Sequence, residues 1–436
     1  LQPGTWPQVQ QILAGRKNPN GCPVPATWFV SINYTDPMYI TQWFAQGNEV
    51  ADHTITHDSP FCATYHEVEG NRGWMNSYAG IPFKEIRGFR HPFLNYSVES
   101  VNMLAKMGFT YETSQSAMQE DNVWPYTLDY GAVTDCTGQT TICGKQLNAK
   151  GLWEIPMYSV KDTTGGLSFL MDPYNEPVIT APEPPASVTS NYETTFDTMH
   201  YNTNRAPFGV YTHPTWLGAA QPPSIPDGAA KLKAVTDFLD YALAKPAKDV
   251  WMVTNWQLIQ YMQNPVPASQ LAAQPYMSCT PAVAPPTNIC NGLASSATLM
   301  DTCDLLSGTQ HTCYGCPSDI STLANPIPPR AATAARHPLP TNCHPLWWDP
   351  VAGKCLCTSP SCAYQDTGRP FNYNEAWLTQ TANTTNSTNT ASTTQSATAA
   401  APSATGAGKS SNSGIRSIAA GEIVGAVVAA AALALA

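Results

Sequence analysis

Short apolar runs alternate with helix-like stretches from Leu1 to about Pro267, which predicts an α/β fold around a parallel sheet. The number of such units favours a distorted (β/α) barrel over a doubly wound sheet. Two further observations shape the prediction. Histidines and an arginine stand just after expected strand ends, where barrel enzymes keep their active sites. Beyond about residue 268 the chain turns to cysteines among prolines, then to a Thr/Ser-rich tail.

The elements follow in order. Thr27-Trp28-Phe29-Val30-Ser31 is a buried-strand run, and a helix-like stretch runs from Pro37 to Gln46. Gly47-Asn48-Glu49-Val50-Ala51 turns into the next strand, and Ile86 to Arg90 forms another. Val98 to Lys106 carries its apolar residues on one face, as an amphipathic helix does. Leu152 to Met157, Phe208 to Tyr211 and Val250 to Val253 read as further strands. Helices from Ala229 to Ala244 and from Trp256 to Met262 flank the last of these. Residues 1–267 therefore read as one barrel domain.

Residues 268–375 hold cysteines 279, 290, 303, 313, 316, 343, 355, 357 and 362, the pattern of a small disulfide-stapled module. Cys313-x-x-Cys316 has zinc-site spacing, but in a secreted chain a disulfide role is favoured. Trp347 and Trp348 suit either stacking on sugar rings or a small core, so a glycan-binding module stays open. Cys136 and Cys143 are near enough in sequence to pair. Residues 376–412 lack hydrophobic periodicity and read as a disordered, O-glycosylated stalk. Residues 413–436 end in IVGAVVAAAALALA behind small residues and a short spacer, the layout of a glycolipid-anchor signal with Asn412 as attachment site. Sequons at Asn33, Asn95, Asn383 and Asn386 add sites for N-glycans.

Composition narrows the function. Thirteen cysteines in 436 residues indicate an oxidising compartment, and the odd number leaves one thiol free or paired outside the chain. A net charge of −10 without a basic cluster excludes nucleic acid as a partner. The low charge content, with 12 tryptophans and 19 tyrosines, suits a protein that meets carbohydrate outside the cell. The expected location is the cell surface or wall, through a membrane lipid anchor.

His53 and His57 in Ala51-Asp52-His53-Thr54-Ile55-Thr56-His57 are four apart, so both imidazoles can reach one cation from a loop or single helical turn. Alone, the pair equally describes two hydrogen-bonded structural histidines. Three other segments accompany it: Ala26-Thr27-Trp28-Phe29-Val30, Gly88-Phe89-Arg90-His91-Pro92-Phe93, and Arg205-Ala206-Pro207-Phe208-Gly209-Val210-Tyr211-Thr212-His213. In this order they resemble the polysaccharide deacetylases of carbohydrate esterase family four, over about the first 265 residues. Arg16-Lys17-Asn18-Pro19-Asn20-Gly21-Cys22 and Asn122-Val123-Trp124-Pro125-Tyr126-Thr127 make the resemblance more particularly one to the chitin-deacetylase-like branch.

That resemblance implies a deacetylase-type barrel and a divalent metal, usually zinc and sometimes cobalt, held by His53 and His57. It implies that Arg90 orients the catalytic carboxylate and that the Phe93 backbone N–H helps hold the oxyanion. It makes His213 the general acid for the leaving amine, and places Trp124 and Tyr126 at the sugar subsite. His91 has no family role, and His66 reads as structural. The family's Thr-Phe-Asp-Asp segment supplies the base and third metal ligand, yet no Asp-Asp pair exists in this sequence. In the family it lies just upstream of a segment like Leu1-Gln2-Pro3-Gly4-Thr5-Trp6. The expectation is therefore an N-terminally truncated chain, its first strand at least partly missing, and inactive or weak by itself. The leading expected function is metal-dependent N-deacetylation of N-acetylglucosamine polymers such as chitin, with release of acetate. The alternative is a non-catalytic glycan-binding cell-wall protein. The carboxylate that orients the acid histidine is not identifiable from the sequence.

Overall fold

The computed structural model describes residues 3–58, 64–117, 122–134, 149–161, 168–172, 185–217, 228–279, 285–305, 308–320, 324–332, 335–362 and 432–435, with isolated positions 142, 147, 322 and 364. Asn412, the stalk and the Cys136 and Cys143 pair lie outside the described residues.

The expected α/β fold is present, built on a largely parallel sheet. Its strands, numbered within this sheet, are β1 (Thr27–Val30), β2 (Glu49–Asp52), β3 (Gly88–Phe89), β4 (Tyr111–Glu112), β5 (Tyr126–Thr127), β6 (Trp153–Glu154), β7 (Gly209–Thr212) and β8 (Ala432–Leu435). They pair in the order β7-β8-β1-β2-β3-β4-β6-β5, and only β5–β6 is antiparallel. The backbone of β8, from the apolar C-terminal segment, runs parallel between β1 and β7. β1, β2 and β7 are buried along their whole length, as strands covered on both faces must be.

The helices are α1 (Trp6–Leu13), α2 (Pro37–Ala45), α3 (Tyr65–Ala79), α4 (Val98–Lys106), α5 (Pro185–Thr195), α6 (Gly228–Leu243) and α7 (Asn255–Gln263). α2, α4, α6 and α7 fall where the periodicity places them. α3 gives no amphipathic signal because it buries polar residues, Glu67, Glu69, Asn71 and Arg72, together with Trp74 and Tyr78. Trp28, Trp43, Trp74 and Trp216 join the aliphatic side chains of β1, α1 and α6 in the main core.

α4 starts with a reciprocal cap, in which Ser97 Oγ accepts from Ser100 N at 3.1 Å and Ser100 Oγ accepts from Ser97 N at 2.9 Å. Ser97→Ala is expected to cost about 1 kcal/mol, read as a lower midpoint in chemical denaturation.

Two expected strands differ in detail. Leu152 to Met157 is divided at Pro156, which has no N–H to give a ladder, into β6 and a separate pair of Met157–Tyr158 with Ser116–Ala117. Residues 250–253 are buried but join no ladder. There the Asn18 amide replaces a neighbouring strand: its Nδ2 donates to Met252 O at 2.7 Å and its Oδ1 accepts from Met252 N at 2.8 Å.

The cysteine-rich region carries a hairpin of Asp301–Leu305 and Gly308–Thr312. Among the described residues the disulfides are Cys22–Cys279, Cys290–Cys313, Cys303–Cys316, Cys343–Cys355 and Cys357–Cys362. Cys313 and Cys316 are thus both oxidised, each to a different partner. Trp347 and Trp348 are buried beside Cys290, Cys313 and Tyr314, so they serve as the core of this small region.

Candidate active site

The proposed site residues gather at the carboxyl ends of β2, β3 and β7. His53 leaves β2 with its N–H on Val30 O at 3.0 Å and its own carbonyl accepting from Ser31 Oγ at 2.7 Å. Its Nδ1 lies 2.8 Å from Arg90 O. A carbonyl can only accept, so Nδ1 carries the proton and Nε2 is left with its lone pair. The His53 and His57 rings are 4.7 Å apart, and the His57 and Phe93 rings are also 4.7 Å apart.

The turn from His53 to His57 is held from beneath. Asp52 Oδ1 accepts from Thr54 N and from Asn71 Nδ2, both at 2.9 Å. Glu67 of α3 accepts from Ile55 N at 2.7 Å, Thr56 N at 3.0 Å and Thr56 Oγ1 at 2.7 Å. Glu67→Gln keeps the shape but replaces an ionised acceptor by a neutral one. We expect it to lower stability by about 1–2 kcal/mol in urea unfolding, with faster amide exchange at Ile55 and Thr56.

Backbone strain concentrates here. Among the described residues, Thr54, His57, Phe93, Leu94 and Asp172 all have φ between 46° and 72°, a region non-glycine residues rarely adopt. Phe93 is 62% exposed, a large apolar ring held outward beside His57. Arg90 is fully buried, its guanidinium 4.2 Å from the Phe29 ring centroid and 5.1 Å from that of Tyr211. Its Nε donates to Thr113 O at 2.9 Å, but Nη1 has no hydrogen-bond partner among the described residues. No carboxylate takes that bond, and burial lowers the guanidinium's pKa to about 10. An unfilled donor on a buried cation marks a place fit for an anionic oxygen.

Sequence reasoning missed Asp172. Its Oδ2 accepts from His213 Nδ1, while Oδ1 accepts from His213 N at 2.8 Å and Thr212 Oγ1 at 2.9 Å. This fixes the ring of His213 and directs Nε2 away from the carboxylate. Forty-one residues separate the partners, and no local motif marks Met171-Asp172. Burial pulls the His213 pKa down, but the hydrogen bond and charge of Asp172 outweigh it and the net shift is upward. His53 goes the other way: burial, then the nearby His57, holds it well below the usual imidazole range. Burial and then His213 lower His57 too. One imidazole is thus built to keep a proton and two are built to stay neutral.

His91 is buried between Ser114 Oγ at 3.1 Å and Ser100 Oγ at 2.9 Å, a structural histidine. Trp124 donates from Nε1 to Asn204 O at 3.2 Å and lies 6.2 Å from the Tyr261 ring. Tyr126 donates to Gln115 Oε1 at 3.1 Å and accepts from Val133 N at 3.1 Å. Both are partly buried and engaged in internal contacts.

A neutral imidazole with Nε2 available, as His53 presents, is the metal-binding form of histidine, and with the His57 ring 4.7 Å away the two fit neighbouring positions around a divalent ion. No group of three or more His, Cys, Asp or Glu suited to a metal occurs among the described residues.

A parallel α/β sheet with paired histidines and an Asp–His pair at its strand ends has the arrangement of a hydrolase site. Residues 5–112 match the polysaccharide deacetylase family. Those residues carry a polysaccharide deacetylase domain, and the likeness to chitin deacetylases supports a hydrolase acting on non-peptide C–N bonds. The chain is 29% identical to chitin deacetylase 8 of Bombyx mori over 331 residues, 73% of this chain and 80% of that protein. It is 28% identical to chitin deacetylase 1 of Bombyx mori over 280 residues, 59% of this chain and 48% of that protein, so it spans about half that relative's length. A Mycobacterium smegmatis structure assigned to the polysaccharide deacetylases overlays with a TM-score of 0.41 at 20% identity, over 60% of this chain and 77% of the other.

Proposed function

We propose that this site deacetylates N-acetylglucosamine polymers, chitin foremost, within a distorted barrel, in a protein held at the outer cell surface by a lipid at Asn412, whose attachment would release residues 413–436 and β8 with them. The observation that carries the reading is the opposition of Asp172-supported His213 to the neutral pair His53 and His57. A divalent metal, zinc or cobalt, held by the two imidazoles would polarise the acetamide carbonyl and activate water.

The chain's own residues do the rest. Protonated His213 donates from Nε2 to the amine as the C–N bond breaks, so glucosamine leaves neutral while acetate takes the hydroxyl. The Phe93 N–H, held by its left-handed backbone, stabilises the oxyanion of the tetrahedral intermediate. Arg90 Nη1 receives the carboxylate of the catalytic base. Trp124 and Tyr126 bound the sugar subsite. With no Asp-Asp pair in its sequence, the chain by itself is inactive or weak.

The test measures acetate release from N-acetylglucosamine oligomers with zinc or cobalt, using the chain as it stands and the chain extended upstream by a Thr-Phe-Asp-Asp strand. The extended chain should gain activity, and His53→Ala should lose metal. An extended, folded chain that binds metal through His53 but releases no acetate would sink the reading.

A further inference from the structure

We propose a second glycan-binding site at the opposite end of the sheet, a groove on the catalytic region and the cysteine-rich region that takes a neutral pyranose. The groove has a volume of about 650 Å³, within the range of roughly 300–1,000 Å³ typical of small-molecule sites. Its position follows from the strands. Glu49 opens β2 and lines the groove, whereas His53 follows the same strand. Arg87 precedes β3 and lines it, whereas Arg90 follows. At about 3.3 Å per residue, four residues of strand put the two sites roughly 13 Å apart. A ligand in one leaves the other open.

The lining chemistry selects the ligand class. Phe44, Trp256 and Tyr276 supply half-buried aromatic rings, and Gln260 adds an amide. The charges cancel. Arg87 is paired with Glu85 through both guanidinium nitrogens, and its guanidinium also sits 4.4 Å from the Trp256 ring. Glu49 is committed inward, accepting from Tyr111 OH at 2.7 Å, Thr27 Oγ1 at 2.8 Å and Trp256 N at 2.9 Å. His344 stacks on Phe44 at 5.3 Å, and burial lowers its pKa to about 4, so it is neutral. With its arginine paired and its remaining carboxylate turned inward, the groove offers a phosphate no unpaired cation among its lining residues. Flat apolar faces rimmed by hydrogen-bonding groups match a pyranose, which has an apolar ring face and a hydroxyl edge. His344 and Leu346 line the groove beside Thr254 and Trp256, so the cysteine-rich region supplies part of its wall.

The choice of an N-acetylated probe rests on the deacetylase reading, but the groove does not. The experiment is calorimetric titration of the full chain with the pentamer of N-acetylglucosamine, with thermal melting of each variant alongside. Binding should persist in His57→Ala. It should weaken about tenfold or more in Trp256→Ala and severalfold in Gln260→Ala, while Trp256→Phe, which keeps the fold and an aromatic face, stays within about threefold. No binding, binding unchanged in both Trp256→Ala and Gln260→Ala, or binding abolished by His57→Ala would overturn the proposal. Lost acetate release with groove binding intact would count only against the catalytic assignment.

Discussion

Asp172→Asn is expected to cut acetate release by the extended chain about 10²- to 10⁴-fold above neutral pH. The His213 pKa is raised in the folded protein, and Asp172 is the group that raises it. The protonated acid therefore survives to higher pH than a free imidazole would, and activity falls as pH climbs through the raised value. Asparagine removes the charge, so burial alone governs and the alkaline limb moves to lower pH. The stability linkage has the same sign: the favourable pairing is complete below the ordinary histidine range and lost as pH rises through the folded value. An NMR titration of the His213 ring reads this without turnover. A midpoint unchanged or raised in Asp172→Asn would refute the assignment, whatever the rate.

The second large effect concerns folding. Cys22–Cys279 closes a sequence separation of 257, by far the longest loop among the described disulfides. Removing it by Cys22→Ser with Cys279→Ser frees the unfolded chain more than any other such change, for an expected loss of about 4–5 kcal/mol. At this chain size the melting temperature should drop by roughly 5 °C. Opening Cys357–Cys362, separation 5, should cost only about 2 kcal/mol. Calorimetry of the two double mutants compares them directly, and equal losses would rule out loop length as the cause. The native bridge also holds the Asn18–Cys22 turn, where Asn20 Nδ2 donates to Met277 O at 2.8 Å and Asn18 clasps Met252.

Much of the site was legible because its residues act through local order. A strand followed by two histidines four apart, Arg90 at the end of β3 and His213 at the end of β7 each carry their meaning in a few neighbours. Strand length was less legible. β3 is two residues where five were expected, since Phe83–Glu85 turns as a 3₁₀ helix just before it. α3 was silent because it buries polar residues, of which Glu67, Asn71 and Arg72 bond Ile55, Val30 and Met107 far along the chain, and this erases the apolar stripe that periodicity detects.

By itself, the amino-acid sequence determined the α/β class, the order of the early strands and helices, the paired imidazoles and the oxidising environment. These follow from patterning and spacing within short windows, where side-chain chemistry and backbone period act together. Only the tertiary structure decided that Asp172 supports His213, that Glu67 reaches back from α3 to fix the histidine turn, and that Arg90 Nη1 has no partner among the described residues. It also decided that neighbouring Cys313 and Cys316 bond to different partners and that residues 432–435 lie between β1 and β7. Each depends on segments far apart in the chain meeting at one point, and burial then makes such polar contacts strong and an unmade one costly.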